Sequence, residues 1–185
     1  MKLMRMIRFG NPILREVALK LSGKEIESLK TQKFIEELKQ VINSKKYGVG
    51  LAAPQIGGDK AIAVIDIKPT VLRPNVEVFS MVIINPSYEG IGQRHSKWEG
   101  CLSSGSGNNT LYAKVLRYSK IHALWIDERG ELHKTILEGL PAHVFQHETD
   151  HLNGILFVDK VQDTKSYMLA GEYKKRIAKN RKYHK

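Results

Sequence analysis

Apolar positions along this chain change their period several times, and each change predicts an element. Between Lys24 and Ser44, Ile26, Leu29, Ile35, Leu38, Val41 and Ile42 recur at helical spacing with Lys and Glu between them. That is the pattern of an amphipathic helix with one face on a core. Ser22 is placed to cap its start. Tyr47-Gly-Val-Gly50 is placed to stop it, because glycine readily takes the left-handed conformation that ends helices. The period then shortens. Ala61 to Ile67 is short and β-branched and reads as a strand, as does Val76 to Asn85. Ser87 to Arg94 and Ile121 to Asp127 are expected as further strands. Asp127-Glu-Arg-Gly130 should form a hairpin turn, with Glu131 to Glu138 returning as the partner strand. Helical spacing resumes from Leu140 to Asn153 through Val144, Phe145, Glu148 and Leu152. Lys165 to Lys182 is helical in composition, and Arg8-Phe-Gly-Asn-Pro-Ile-Leu-Arg15 reads as a loop laid over the core.

Together these elements predict an α+β fold, with mostly antiparallel strands packed around a central helix. An amphipathic helix precedes the sheet and a basic helix follows it. There is no internal repeat and no parallel βαβ rhythm. A length of 185 residues suits one domain, expected at residues 1–164, with 165–185 as a basic helical extension. The composition, 42% hydrophobic and 26% charged, excludes a chain disordered throughout.

Charge changes the picture only at the end of the chain. The formal net charge is +11, and Lys174 to Lys185 supplies Lys174, Lys175, Arg176, Lys179, Arg181, Lys182 and Lys185 without one acid. Such a tail is either a solvated face or a surface for polyanions. No apolar run approaches the roughly 20 residues that span a bilayer, so no membrane association is expected. The opening residues lack the apolar stretch of a secretory signal. Cys101 is the single cysteine, which rules out an intrachain disulfide and fits a reducing cytoplasm.

The strongest chemical signal is His147-Glu-Thr-Asp-His151. On a helix, positions i and i+4 share a face, so both imidazoles can reach one metal ion while Glu148 stands beside the first of them. Asp150 is placed to support the ligands. A catalytic site of this kind takes about three protein ligands and keeps one position open. Cys101, in Glu99-Gly-Cys-Leu-Ser103, can supply the third as a thiolate. Glu172, 21 residues after His151, can also supply it, as a downstream carboxylate does in a zinc metallopeptidase. Spacing alone leaves that choice open. Gly48-Val-Gly-Leu-Ala-Ala-Pro-Gln-Ile-Gly57 is a close-packed, irregular segment. Its polar member, Gln55, is either an exposed turn residue or an amide donor.

Taken together, Gly48 to Gly57, Glu99 to Ser103 and Gln146-His-Glu-Thr-Asp-His151 resemble peptide deformylase, in that family's order. Asn11-Pro-Ile-Leu-Arg15 and Val115-Leu-Arg117 extend the resemblance over most of residues 7 to 161. It implies that Cys101, His147 and His151 bind the metal, ordinarily ferrous iron, with zinc or nickel able to substitute. It implies that metal-bound hydroxide attacks the formyl carbon, with Glu148 as general base and then general acid. Gln55 and the backbone N–H of Leu102 would stabilise the formyl oxygen. Val49, Gly50 and Leu102 would line the groove for an N-formylmethionyl nascent peptide, with Val144 and Phe145 as weaker candidates near the methionine pocket. Glu99 and Arg117 would pair to orient the cysteine loop. The basic tail would dock on the ribosome. The chain departs from the pattern after Ser103, where Ser104-Gly-Ser-Gly-Asn-Asn-Thr110 reads as flexible and lacks the basic group that family members carry nearby.

Two other classes fit parts of the sequence. A zinc endopeptidase would use His147, His151 and Glu172. A ribosome-associated RNA-binding protein would keep only a structural metal, but such a site needs neither Glu148 nor Gln55.

Overall fold

A computed structural model describes residues 5–178 of the chain. The basic residues Lys179, Arg181, Lys182 and Lys185 lie outside the described residues.

The expected first helix is two helices, α1 (Gly23–Glu27) and α2 (Leu29–Asn43). Ser22 caps α1 through a capping box, in which its backbone N–H donates to Glu25 and its hydroxyl accepts from the Glu25 N–H. Ser28 then accepts from the Thr31 N–H and starts a new helix. The apolar period runs through this break because Ile26, Ile35 and Leu38 all enter the same core.

Strands β1 (Gly50–Ala52), β2 (Ile62–Ile67), β3 (Phe79–Gly100), β4 (Leu111–Ile126) and β5 (Leu132–Glu138) pair antiparallel in chain order. A short β6 (Met168–Leu169) pairs with the start of β4. The sequence suggests two strands where β3 is continuous over 22 residues. Register shifts between Ile84 and Ser87 and between Ile91 and Arg94 let it bend without ending. Asn85 sits at the first shift with φ +50. Its side chain is held there by exchanging hydrogen bonds with the backbone of Leu21. Likewise, Ile121 to Asp127 proves to be the second half of β4. Asp127 to Gly130 makes the hairpin turn, with Gly130 at φ +82.

Helix α3 (Gly139–Leu152) lies across β1, β2 and β4. Phe145 is fully buried on that face and meets Trp125 edge-on at 5.9 Å. Another core lies between α2 and the other face of β2, where Ile35, Leu38 and Val64 pack.

The end of the chain corrects the composition-based expectation. Residues 165–169 are not α-helical: a short 3-10 helix (Thr164–Ser166) leads into β6, and only then does α4 (Ala170–Tyr173) begin, continuing as a π turn to Ala178. The start of β4 needs a backbone partner, and Met168 and Leu169 provide it opposite Tyr112 and Leu111. Among the described residues, no helix is long and apolar enough to cross a membrane.

Candidate metal centre

Helix α3 places His147 and His151 one turn apart on its inner face, with ring centroids 4.8 Å apart. Strand β3 ends at Gly100, and the next residue delivers its thiol to the same point. Cys101 Sγ lies 3.2 Å from His151 Nε2. One donor atom from each of Cys101, His147 and His151 falls within 4.8 Å of the others. Thiolate and imidazole are the donor set of zinc, iron and nickel sites.

Two buried atoms here have no protein partner among the described residues: His151 Nδ1 and Glu148 Oε2. Buried polar atoms without partners are rare, and a pair of them beside three donor groups calls for guests such as an ion and water. The residues therefore fit a metal. Burial pushes the Glu148 carboxyl up to about 7, the charge of Glu99 adding to this while those of His147 and Arg117 oppose it. Burial also holds His151 well below its usual value, which keeps its imidazole neutral. Against burial, Glu99 and Cys101 raise His147.

Behind the donors stands a matched charge network. Arg117, 2% exposed, donates to both carboxylate oxygens of Glu99 at 2.9 and 2.7 Å and also pairs with Asp150. Lys160 reaches the other oxygen of Asp150 at 3.4 Å. His143 Nε2 sits 2.7 Å from Glu99, and His147 Nδ1 bonds its other oxygen. With Nδ1 donating to Glu99, the Nε2 lone pair of His147 is left for a metal. Glu99 itself stays well below the carboxylate range; burial opposes its charge, but His147, Arg117 and His143 overcome that. Nothing in the sequence alone marks His143 as part of the site beyond its position four residues before His147, on the same helix face.

Gln55 is buried, not an exposed turn residue. Its carbonyl accepts from the Ala52 N–H at 2.8 Å, which turns its amide toward Cys101 Sγ at 3.5 Å and Ser103 Oγ at 3.2 Å. Leu102 opens a 3-10 turn, where a backbone N–H has no partner within the turn. Gly50 lies against Glu148: a Cβ there would stand 2.2 Å from its Oε1, so only glycine fits. Val49, half-buried, accepts from the Asp66 N–H through its carbonyl.

Glu172 lies elsewhere, bonded to Lys175 and Arg176. The endopeptidase ligand set does not assemble. The segment Ser104 to Thr110, expected to be flexible, is tied down. Ser104 Oγ donates to Cys101 O, and Arg8 reaches in from the N-terminal segment to Leu102 O and Gly105 O. A basic side chain from the N-terminal segment thus packs against this stretch.

The likenesses to known proteins agree with this site. A profile of the polypeptide deformylase family matches residues 3–167. The chain is 37% identical over 170 residues to peptide deformylase of Leptospira biflexa, covering 90% of this chain and 92% of that one. It is 36% identical over 183 residues to the enzyme of Zymomonas mobilis, covering 98% and 97%. Among solved structures, a Met-Ala-Ser-bound class I type b peptide deformylase from Acinetobacter baumannii superimposes with a TM-score of 0.79 at 28% identity, covering 86% of this chain and 99% of that one. A Synechococcus elongatus peptide deformylase in complex with actinonin gives 0.75 at 32%, covering 88% and 81%. With its sequence matched nearly end to end and its cysteine and two histidines gathered as metal donors, the chain belongs to the peptide deformylases, metal-dependent hydrolases that remove the formyl group from the N-terminal methionine of new proteins.

Proposed function

We propose that Cys101, His147 and His151 hold the metal, that Glu148 carries the proton, and that Gln55 and the Leu102 N–H receive the negative charge that develops on the formyl oxygen. The observation that carries this reading is the unpartnered, buried Glu148 carboxyl beside three convergent donors. Bound there, a divalent metal would supply Lewis acidity, making a water acidic near neutral pH. Ferrous iron is the metal we assign, with zinc or nickel as substitutes that the same donors accept.

Glu148 accepts a proton from the attacking water and delivers it to the departing amine, leaving formate and a free N-terminus. Burial raises this carboxyl in the metal-free site, and a bound cation would oppose that rise, so the two together would set it between its acid and base forms. Gln55 is held rigidly by Ala52, so it needs no reorganisation as charge develops; losing one such donor costs about 3 kcal/mol. His143 and Arg117 fix Glu99, and Glu99 fixes His147.

The peptide adds as an extended strand along the free edge of β1, its backbone beside Val49 and Gly50 and its other side facing Leu102. At the Ala52 end, β1 runs into the buried turn Ala53–Ile56. The chain therefore leaves along Val49 and Gly48 toward Tyr47. Residues 165–185 form an extension whose basic charge suits docking on the ribosome, in the cytoplasm where formylated chains emerge.

Formate release from formyl-Met-Ala-Ser, by protein prepared anaerobically with ferrous iron, tests this reading. The parent should turn over, and Glu148→Ala should lose at least about 100-fold in kcat. Equal turnover in the variant would remove Glu148 from the chemistry.

A further inference from the structure

Three cations gather about Tyr47 at the open end of the groove, two over its ring and one on its backbone. Lys174 Nζ lies 5.2 Å from the ring centroid of Tyr47, and Lys46 Nζ lies 5.5 Å from it. The Arg73 guanidinium donates to Tyr47 O and Gly48 O at 3.3 Å, and to Lys68 O at 3.2 Å. Lys174 also donates to Asn108 Oδ1 at 3.1 Å. Every one of these acceptors is neutral. Among the described residues, none of the three cations makes an ion pair: Asp66 pairs with Lys68 and Glu172 with Lys175 and Arg176, while Glu77, four residues after Arg73, forms no ion pair with it. Arg73 is half-buried, and burial lowers its basicity; the Tyr112 phenol opposes this in part, but among the described residues no carboxylate pairs with it.

The cluster is built, not draped. Tyr173 stacks on Tyr112 at 4.3 Å and meets Trp98 edge-on at 5.6 Å, while Ala170 N–H donates to Thr110 O at 2.8 Å. These contacts fix the start of α4 over the end of β3. Tyr112 in turn lies against Gly100, where a Cβ would stand 2.6 Å from the ring. Lys174 thereby spans the two walls of the groove. Asn108 belongs to the segment after Cys101, and Tyr47 to the segment before Gly48. The walls approach each other there, since a Cβ at Gly48 would lie 3.5 Å from Leu102 Cδ1.

We propose that Lys174, with Arg73 and Lys46, forms a carboxylate-recognising exit to the peptide groove, making Lys174 a specificity-determining residue for substrate positions downstream of the methionine. The proposal rests on the path of the peptide along β1 given above. Two sources supply a carboxylate there: an acidic side chain at the third residue, or the free C-terminus of a short peptide. An unmatched, partly desolvated cation cluster attracts either, with the strength of a half-exposed pair and strong dependence on salt.

The test compares kcat/KM within one enzyme preparation, so that loss of active protein cancels. The peptides are formyl-Met-Ala-Glu-amide, formyl-Met-Ala-Lys-amide, and formyl-Met-Ala-Ser as free acid and as amide. The parent should prefer Glu over Lys by about five-fold at low salt, chiefly through KM. Lys174→Glu should bring that ratio to about 1, and Lys174→Gln should leave it between the two. High salt should flatten the parent's preference. A preference for the free acid over the amide, lost in Lys174→Glu while Glu and Lys peptides stay equal, supports the same site with the peptide terminus as its ligand. Ratios in Lys174→Glu equal to those of the parent for both comparisons overturn the proposal while the deformylase reading stands. No formate from any peptide overturns the peptide path and this proposal with it.

Discussion

Among the described residues, two places bring three possible metal donors within 4.8 Å of one another: Cys101, His147 and His151 in the interior, and Asp127, Glu131 and His133 at the β4–β5 turn. Proximity does not separate them, but satisfaction does. At the turn, Asp127 Oδ1 already accepts from the Arg129 and Glu131 N–H groups at 2.9 Å, and its Oδ2 lies 2.9 Å from His133 Nε2. His133 stacks on Trp125. Those contacts account for the cluster as a hairpin device. In the interior, His151 Nδ1 and Glu148 Oε2 are buried and have no partner among the described residues. A charge network then aligns the donors from behind. Donors make a site when their surroundings leave something undone.

Removing one member of the interior trio and two of the turn trio gives the sharpest contrast. Cys101→Ala should cut metal affinity by more than about 100-fold, beyond the usual effect of losing a supporting partner. The double variant Asp127→Asn, His133→Ala should keep full metal stoichiometry, and Glu172→Ala should keep it too. Metal analysis after gel filtration reads all three. Metal lost from the double variant, and retained in Cys101→Ala, would exchange the roles of the two clusters.

Next in size is the support behind the ligands. Arg117→Met leaves Glu99 and Asp150 buried without their shared cation, which should destabilise the fold by about 3–5 kcal/mol. At the exposed turn, Asp127→Asn should cost less than about 1 kcal/mol. Urea unfolding of the metal-free proteins measures both. A small loss for Arg117→Met would mean that water enters and screens the network.

How far this contrast could be read from the sequence depends on the range of each interaction. The His147–His151 pair follows from helical period, and the Ser22 cap from three adjacent residues. Residues whose partners lie far along the chain did not declare themselves. His143 meets Glu99 only because β3 returns beside α3, and Arg8 reaches Gly105 across 97 positions. The full length of β3 was hidden because residues 92–97 are all exposed, where alternation carries no apolar signal. Residues 165–169 looked helical by composition, yet tertiary pairing with β4 overrode that preference. The choice between Cys101 and Glu172 as third ligand was a matter of topology, which local spacing does not encode.

The smallest effect separates the two clusters by sign. In the metal-free protein, Glu148 is raised by burial to about 7, against an ordinary value of 4.5. Its protonated form is thus favoured by folding. The associated stability is intact below about 4.5 and is lost as pH rises through 7, amounting to about 3 kcal/mol in the alkaline limit. Glu148→Gln removes the titration, so its melting temperature should match the parent's near pH 4.5 and exceed it by several degrees at pH 8. Asp127 moves the other way: against modest burial, its bonds to His133 and to the turn N–H groups lower it. Its contribution is present above the ordinary aspartate value and fades as pH falls, and solvent screening keeps it under about 1 kcal/mol. Asp127→Asn should therefore melt slightly below the parent at pH 8 and converge with it in acid. Opposite slopes in the two variants would establish that the interior carboxyl is held short of partners while the turn carboxyl is fully supplied. A flat difference for Glu148→Gln would mean that its second oxygen is already solvated without the metal.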